Sequence, residues 1–366
     1  MDNKIFSKTV SLYSLAKWTN GLAYKDFHFS TTGVPIIKIA ELKNGITSQT
    51  QFTNDIFDKS VKLNYDDLLF SWSGNPDTSI DVFRYRRNDG WLNQHIFKVV
   101  PNGVSKDYLF YLLKSLQPTF AFIASNKQTT GLGHVTIADL KRLNVYVHSL
   151  KEQQHIVDIL GSIDEKIEKL EKENKEFQKL CLSQFKLYFN NKEKVALNKL
   201  ATVTMGQSPD GNTINESSGT IFYQGRTDFG FRYPKVRLFT SAPKRMAKED
   251  DILLSVRAPV GDVNVAMENC CIGRGLAAIS SNYKHFVFYS LLAQQSDFDV
   301  YNNTGTIFGS INREALLSFA VPASDMIDVV KFDSLAATID SKIKQNVIES
   351  IKLKELKALY LQKFFG

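Results

Sequence analysis

One stretch limits what this chain can fold into more than any other. Residues 151–190, KEQQHIVDILGSIDEKIEKLEKENKEFQKLCLSQFKLYFN, read as a single long helix. The apolar positions Ile156, Leu160, Ile163, Ile167, Leu170, Phe177 and Cys181 advance in steps of four and three, with Asn174 filling the one gap. A stripe of that period is a heptad seam, and a seam packs against another helix. The pattern returns 176 residues later with no gap: Ile156 falls on Phe332, Leu160 on Ala336, Ile163 on Ile339, Phe177 on Leu353 and Phe189 on Phe365. Both helices carry the sequence Ile-Asp-x-Lys-Ile, beginning at Ile163 and at Ile339.

An isolated helix is marginal in water, and an exposed apolar stripe is a liability. The chain supplies its own partner in the echo, and roughly 35 paired residues at about 1.5 Å each give a rod of roughly 50 Å. Asn174 corresponds to Ser350. A polar residue on a seam costs stability and fixes register.

The repeat extends backwards from the helices and defines the domains. Tyr65-Asp66-Asp67-Leu68-Leu69-Phe70-Ser71 parallels Glu249-Asp250-Asp251-Ile252-Leu253-Leu254-Ser255, an acidic turn running into a buried strand each time. Thr130-Gly131 parallels Thr304-Gly305, and the strand at Asn144 to Val147 parallels Phe319 to Pro322. Further strands are expected at Val34 to Ile39, Ile96 to Val100, Thr220 to Tyr223 and Leu276 to Ile279, and short helices at Asp107 to Ser115 and His285 to Ala293. The expected fold is α+β: two globular α/β units in tandem, 1–150 and 191–325, each followed by a long helix, 151–190 and 326–366, the helices pairing as an antiparallel coiled coil.

The length allows two or three domains, each with its own core. No apolar run approaches a membrane span, and the N-terminus lacks the apolar segment of a signal peptide, so a cytoplasmic protein without membrane contact is expected. Cys181 lies on the seam, and the adjacent Cys270 and Cys271 lack zinc-site spacing, so neither disulfide nor metal is indicated. The net charge of +7 is concentrated in residues 1–150, with 17 basic against 12 acidic side chains, which fits a nucleic-acid partner.

Catalytic signatures are missing. The chain has no phosphate-cradling G-x-x-x-x-G-K-[ST], and Gly131-Leu132-Gly133 lacks a third glycine. Ser73-Gly74-Asn75-Pro76-Asp77 lacks the second proline and aromatic residue of an adenine methyltransferase and reads as a turn. The six histidines are scattered, with no i,i+4 pair for a metal. A metal-dependent nuclease would have to use Asp26, Glu41 and Lys43, and the second unit has no counterpart carboxylate near Gly225-Arg226-Thr227. A coiled-coil adaptor with protein-binding units is the other alternative.

Binding is the better expectation. The DNA-contacting candidates are Arg84, Arg86 and Arg87 with Lys127, Gln128, Thr129 and Thr130 in the first unit. In the second they are Gln224, Arg226, Arg232, Lys244 and Arg245 with Asn302, Asn303 and Thr304. Arginine reads guanine, Asn and Gln read adenine, and Lys, Thr and glycine-flanked amides hold phosphates. Arg257 and Arg274 are candidates in these loops too, with a structural role as the alternative because they lie close to buried strands.

The order globular unit, helix, globular unit, helix, with the helix opening Glu152-Gln153-Gln154-His155-Ile156 and continuing Ile163-Asp164-Glu165-Lys166-Ile167, resembles the specificity subunit of type I DNA restriction-modification enzymes. The resemblance covers the whole chain. One departure is the second helix, which opens Asp325-Met326-Ile327-Asp328 without Glu-Gln-Gln. The resemblance implies that each globular unit is a target recognition domain for one half of a split, asymmetric double-stranded DNA site. It also implies that the helices hold the halves apart and dock two methyltransferase (modification) subunits. Those partners use S-adenosylmethionine to methylate adenine, restriction/translocase subunits act on unmethylated DNA, and this chain needs no cofactor and has no catalytic residue.

Overall fold

The structure is a computed structural model describing residues 8–24, 27–127, 131–302, 309–323 and 325–366. The chain divides into two compact units: Met1–Glu168 with Ser350–Gly366, and Lys169–Glu349. Each unit contains one half of each long helix, Leu150–Phe189 and Met326–Phe365.

The first unit is built on an antiparallel sheet with strand order Ala16–Asn20, Ile96–Pro101, Leu68–Ser71, Asp81–Arg84. A second sheet runs Phe29–Ser30, Phe52–Thr53, Val34–Ile37, Gly90–Leu92, Lys62–Leu63, its 34–37 and 90–92 strands parallel. The second unit repeats both orders. Its sheets run Thr202–Met205, Leu276–Ser280, Ile252–Ser255, Val263–Val265, and Ile214–Asn215, Leu238–Thr240, Thr220–Tyr223, Cys270–Ile272, Met246–Ala247. The parallel pair recurs at 220–223 and 270–272.

The uninterrupted apolar runs at Leu68 and Ile252 follow from two-sided burial. Successive side chains of a strand point to opposite faces. Leu68 and Phe70 enter one core and Leu69 another; Ile252 and Leu254 divide from Leu253 in the same way. The acidic turns before these strands share a backbone conformation, with Asp66 and Asp250 each at φ 67°. Asp67 and Asp251 close the turns by accepting the Asn64 and Lys248 N–H groups at 2.7 and 2.8 Å.

Within each unit the two helix halves run antiparallel. In the first, His155 meets Phe364 and Asp164 meets Lys357; in the second, Asn174 meets Asn346 and Phe185 meets Phe332. The seam residues Ile156, Leu160, Ile163, Ile167, Leu170 and Cys181 are buried, and Phe177 is half-buried. Asn174 is buried too. Its partner is Asn346, whose amide donates to it at 3.0 Å, a residue the repeat pattern did not single out.

The aspartate of the shared Ile-Asp-x-Lys-Ile motif anchors each helix to its unit. The Tyr111 hydroxyl donates to Asp164 at 2.9 Å, and the Tyr289 hydroxyl donates to Asp340 at 2.8 Å. Gln153 is buried and ties the strand end to a loop, donating to the His148 carbonyl at 2.9 Å and accepting from the Ser105 N–H at 3.4 Å. The matching position on the second helix is Val329, fully buried in an apolar core, which explains how that helix dispenses with Glu-Gln-Gln. Among the described residues, no helix is long and apolar enough to cross a membrane.

Candidate nucleic-acid interface

In the second unit, three loops pack backbone to backbone because glycines allow it. A Cβ on Gly206 would stand 2.1 Å from the Gly273 carbonyl oxygen, and one on Gly273 or Gly275 would stand 2.8 or 2.9 Å from that of Gln224. No side chain fits there. Hydrogen bonds fasten the same loops: Gln207 N–H donates to Ile272 at 2.9 Å and Gly273 N–H to Tyr223 at 2.8 Å.

The central strands deliver the fourth loop. Ser255 pairs with Leu276, and the Val256 N–H donates to the Gly275 carbonyl at 2.9 Å. Arg257 follows Val256 out of the ladder, and Arg274 stands in the turn closed by the Leu276 N–H on the Gly273 carbonyl at 3.0 Å. Both are exposed, and with Ser208, Gln224, Arg226 and Thr227 they line one open cleft. Arg226 is neutralised by Asp262, which also accepts from Gln295 at 2.5 Å. The guanidinium groups of Arg257 and Arg274 have no hydrogen bond or ion pair among the described residues.

The first unit builds the same frame. A Cβ on Gly21 would meet the Leu92 carbonyl oxygen at 2.2 Å, as at Gly206. Ser71 pairs with Ile96, the Trp72 N–H donates to His95 at 3.2 Å, and the positions that correspond to Arg257 and Arg274 are Ser73 and Gln94. Ser73 pairs onward with His134 as Arg257 does with Ser310. The frame is common and its side chains differ.

Several of the sequence-derived candidates serve the fold instead. Arg232 is buried: its guanidinium pairs with Asp340, donates to the Tyr289 hydroxyl at 2.8 Å and lies 3.7 Å from the Phe288 ring centre. So enclosed, it presents no surface to DNA, contrary to the expectation for Arg232. Arg84 is spent on Asp107 at 2.7 Å, with the Phe110 ring 4.5 Å away. Lys127 is held by Asp139 at 2.5 Å. Burial would raise the Asp139 carboxyl, but Lys127 and Thr136 more than offset it and hold it below the usual range. The Asn302 side-chain oxygen accepts the Val260 N–H at 2.7 Å and so fixes the loop after Arg257.

Arg86 and Lys244 are surface groups with partners, Asp66 at 3.2 Å and Asp210 at 2.6 Å. Arg87, Gln224 and Arg245 are exposed. Gln128, Thr129, Thr130, Asn303 and Thr304 lie outside the described residues, as does Asp26. The structure thus gathers four of the candidates in one cleft, Gln224 and Arg226 together with Arg257 and Arg274, and exposes the last two. The signal available for those two was that both positions and both their counterparts, Ser73 and Gln94, are polar at the ends of apolar strands.

The nuclease alternative gains no support. Both Glu41 carboxylate oxygens are engaged, one by the Lys38 N–H at 3.1 Å and one by the Thr50 hydroxyl at 3.2 Å. Among the described residues, no group of three or more His, Cys, Asp or Glu is placed to hold a metal ion. Asn75 caps a turn, its side-chain oxygen accepting the Asp77 and Thr78 N–H groups at 3.1 and 3.0 Å.

Comparison with known proteins gives three findings. A family model described as the type I restriction modification DNA specificity domain matches residues 7–178. A Methanocaldococcus jannaschii protein named as a type I restriction enzyme MjaX specificity subunit is 28% identical over 379 aligned positions, covering 93% of this chain and 89% of that protein. The crystal structure of the type I restriction-modification system S subunit from M. genitalium aligns at a TM-score of 0.57 and 17% identity, covering 100% of this chain and 98% of that one, a likeness of fold.

Proposed function

Because this chain belongs to the family of type I restriction-modification DNA specificity subunits, we propose that it is the sequence reader and scaffold of such a complex, without a catalytic residue of its own. Residues 1–150 and 191–325 act as target recognition domains, each reading one half of a split double-stranded DNA site. The helices 151–190 and 326–366 set the spacer between the halves and dock two methyltransferase subunits, which bring S-adenosylmethionine. Restriction/translocase subunits join the same assembly, in the cytoplasm.

One observation carries this reading: the two units repeat a single strand order while the side chains at corresponding cleft positions differ. A repeated frame with different reading groups suits a bipartite, asymmetric target. Two carboxylate-free arginines beside glycine-lined backbone amides suit a polyanion.

The test is single-molecule sequencing of adenine methylation in cells expressing the chain with its cognate methyltransferase. A split motif with a fixed spacer is expected. Inserting one heptad into each helix adds about 10 Å of rise and should lengthen the spacer by roughly three base pairs. An unchanged spacer would sink the ruler role of the helices, and the absence of any motif would favour a protein-binding adaptor.

A further inference from the structure

We infer that Arg257 and Arg274 are a specificity-determining pair that reads guanine in the half-site of the second unit, a reading that rests on the DNA-recognition function proposed above. Three observations carry it. First, both arginines stand just past the end of one ladder: Arg257 follows the Val256 N–H bond to the Gly275 carbonyl, Arg274 sits in the turn closed by the Leu276 N–H on the Gly273 carbonyl at 3.0 Å, and both line one cleft. Like charges gathered in one cleft repel. The chain carries this arrangement without a counter-ion: neither guanidinium has an ion pair among the described residues, whereas neighbouring Arg226 is matched by Asp262.

Second, the pair is presented rather than buried. Both side chains are exposed, in a cleft whose floor is glycine backbone at Gly225 and Gly275. The loop bearing Arg257 is pinned on its far side, where Ala258 N–H donates to the Gly309 carbonyl at 2.8 Å and Val260 N–H to the Asn302 side chain at 2.7 Å. A fixed loop sets where the side chain leaves the backbone, and its planar guanidinium fork matches the two acceptors on the major-groove edge of guanine.

Third, the first unit holds the same two positions with different chemistry. Counted from the Ser71 to Ile96 pair as Arg257 and Arg274 are counted from Ser255 and Leu276, they are Ser73 and Gln94. A contact that served only the phosphates, common to every sequence, would call for the same cation in both units. A cation pair confined to one unit points to base readout, because the two half-sites differ in bases and not in backbone.

The experiment compares methylation motifs genome-wide for the intact chain with its methyltransferase subunits, using Arg257→Ala, Arg274→Ala and Arg274→Lys. The expected result is a split wild-type motif with guanine in one half. Each alanine variant should relax one guanine position in that half by roughly 10- to 100-fold in preference, leaving the other half intact. Arg274→Lys keeps the charge but loses the fork, so it should retain overall methylation and still relax the same position. Melting of the purified complexes establishes that the variants fold. A split motif whose guanine preferences survive in all three variants overturns the inference and leaves the general function standing. So does an even loss across both halves that lysine restores, since that is a phosphate contact. If the wild-type complex yields no split motif, the function itself fails and this inference with it.

Discussion

The two units solve one anchoring problem with different chemistry. In both, a tyrosine hydroxyl grips the aspartate of the shared helix motif, Tyr111 to Asp164 and Tyr289 to Asp340. The first unit completes the charge with Lys357, which donates to Asp164 at 2.5 Å, and the lysine side chain is 19% exposed. The matching residue in the second unit is Cys181, buried and uncharged, and its thiol is pushed up by burial. There the cation comes from Arg232, 1% exposed, with His285 at 2.7 Å from the same carboxylate. Duplication conserves the aspartate and tyrosine geometry, while the counter-charge follows whatever the neighbouring surface supplies. A partly wet lysine tolerates loss of its partner better than a dry arginine.

The largest expected effect breaks that comparison directly. Asp340→Ala leaves a buried guanidinium uncompensated and should destabilise the second unit by about 3–5 kcal/mol. Asp164→Ala leaves Lys357 able to reach water and should cost about 1–3 kcal/mol in the first. All three tryptophans, Trp18, Trp72 and Trp91, lie in the first unit, so their fluorescence during urea unfolding follows that unit, and hydrogen exchange at the 252–255 and 276–280 strands follows the other. Equal losses for the two variants would show that exposure of the cation is irrelevant.

A smaller effect sharpens the same comparison at the helix start. Gln153→Val copies the second unit's Val329 into the first, but the His148 carbonyl and Ser105 N–H lose their partner. About 1–2 kcal/mol should be lost in the urea midpoint followed by tryptophan fluorescence. A gain instead would mean that the apolar solution is portable between units.

The smallest expected effect concerns acid. Burial opposes ionisation of Asp66 and Asp250, yet Lys106, Arg84 and Arg86 around the first, and Lys284 and Lys344 around the second, hold both carboxyls below the usual range. A lowered folded-state pKa gives stability that is fully present above the ordinary carboxylate value, about 4, and is lost as pH falls through the folded value. Both units should therefore weaken together below about pH 4. In an acid titration followed by hydrogen exchange, Asp250→Asn should flatten this dependence in the second unit only, and an unaltered slope there would show that Asp250 does not carry it.

Whatever repeats along the chain could be read from its residues alone. The heptad seam, the 176-residue echo and the two acidic turns are local or periodic patterns, so the long helices, the buried central strands and the α+β organisation were legible. The turn at Asn75 was legible for the same reason, since its side chain acts on residues two and three positions away. Which arginines are free depends on the packing of distant segments. Arg232 and Asp340 are 108 residues apart, so no local pattern could reveal that this loop arginine is a buried counter-ion. Arg257 and Arg274 stood as candidates with a structural alternative because they adjoin buried strands, and tertiary packing exposes both in one cleft. Whether a charged side chain meets water, an acid or a ligand depends on contacts between distant segments. Periodicity along the chain carries no record of those contacts.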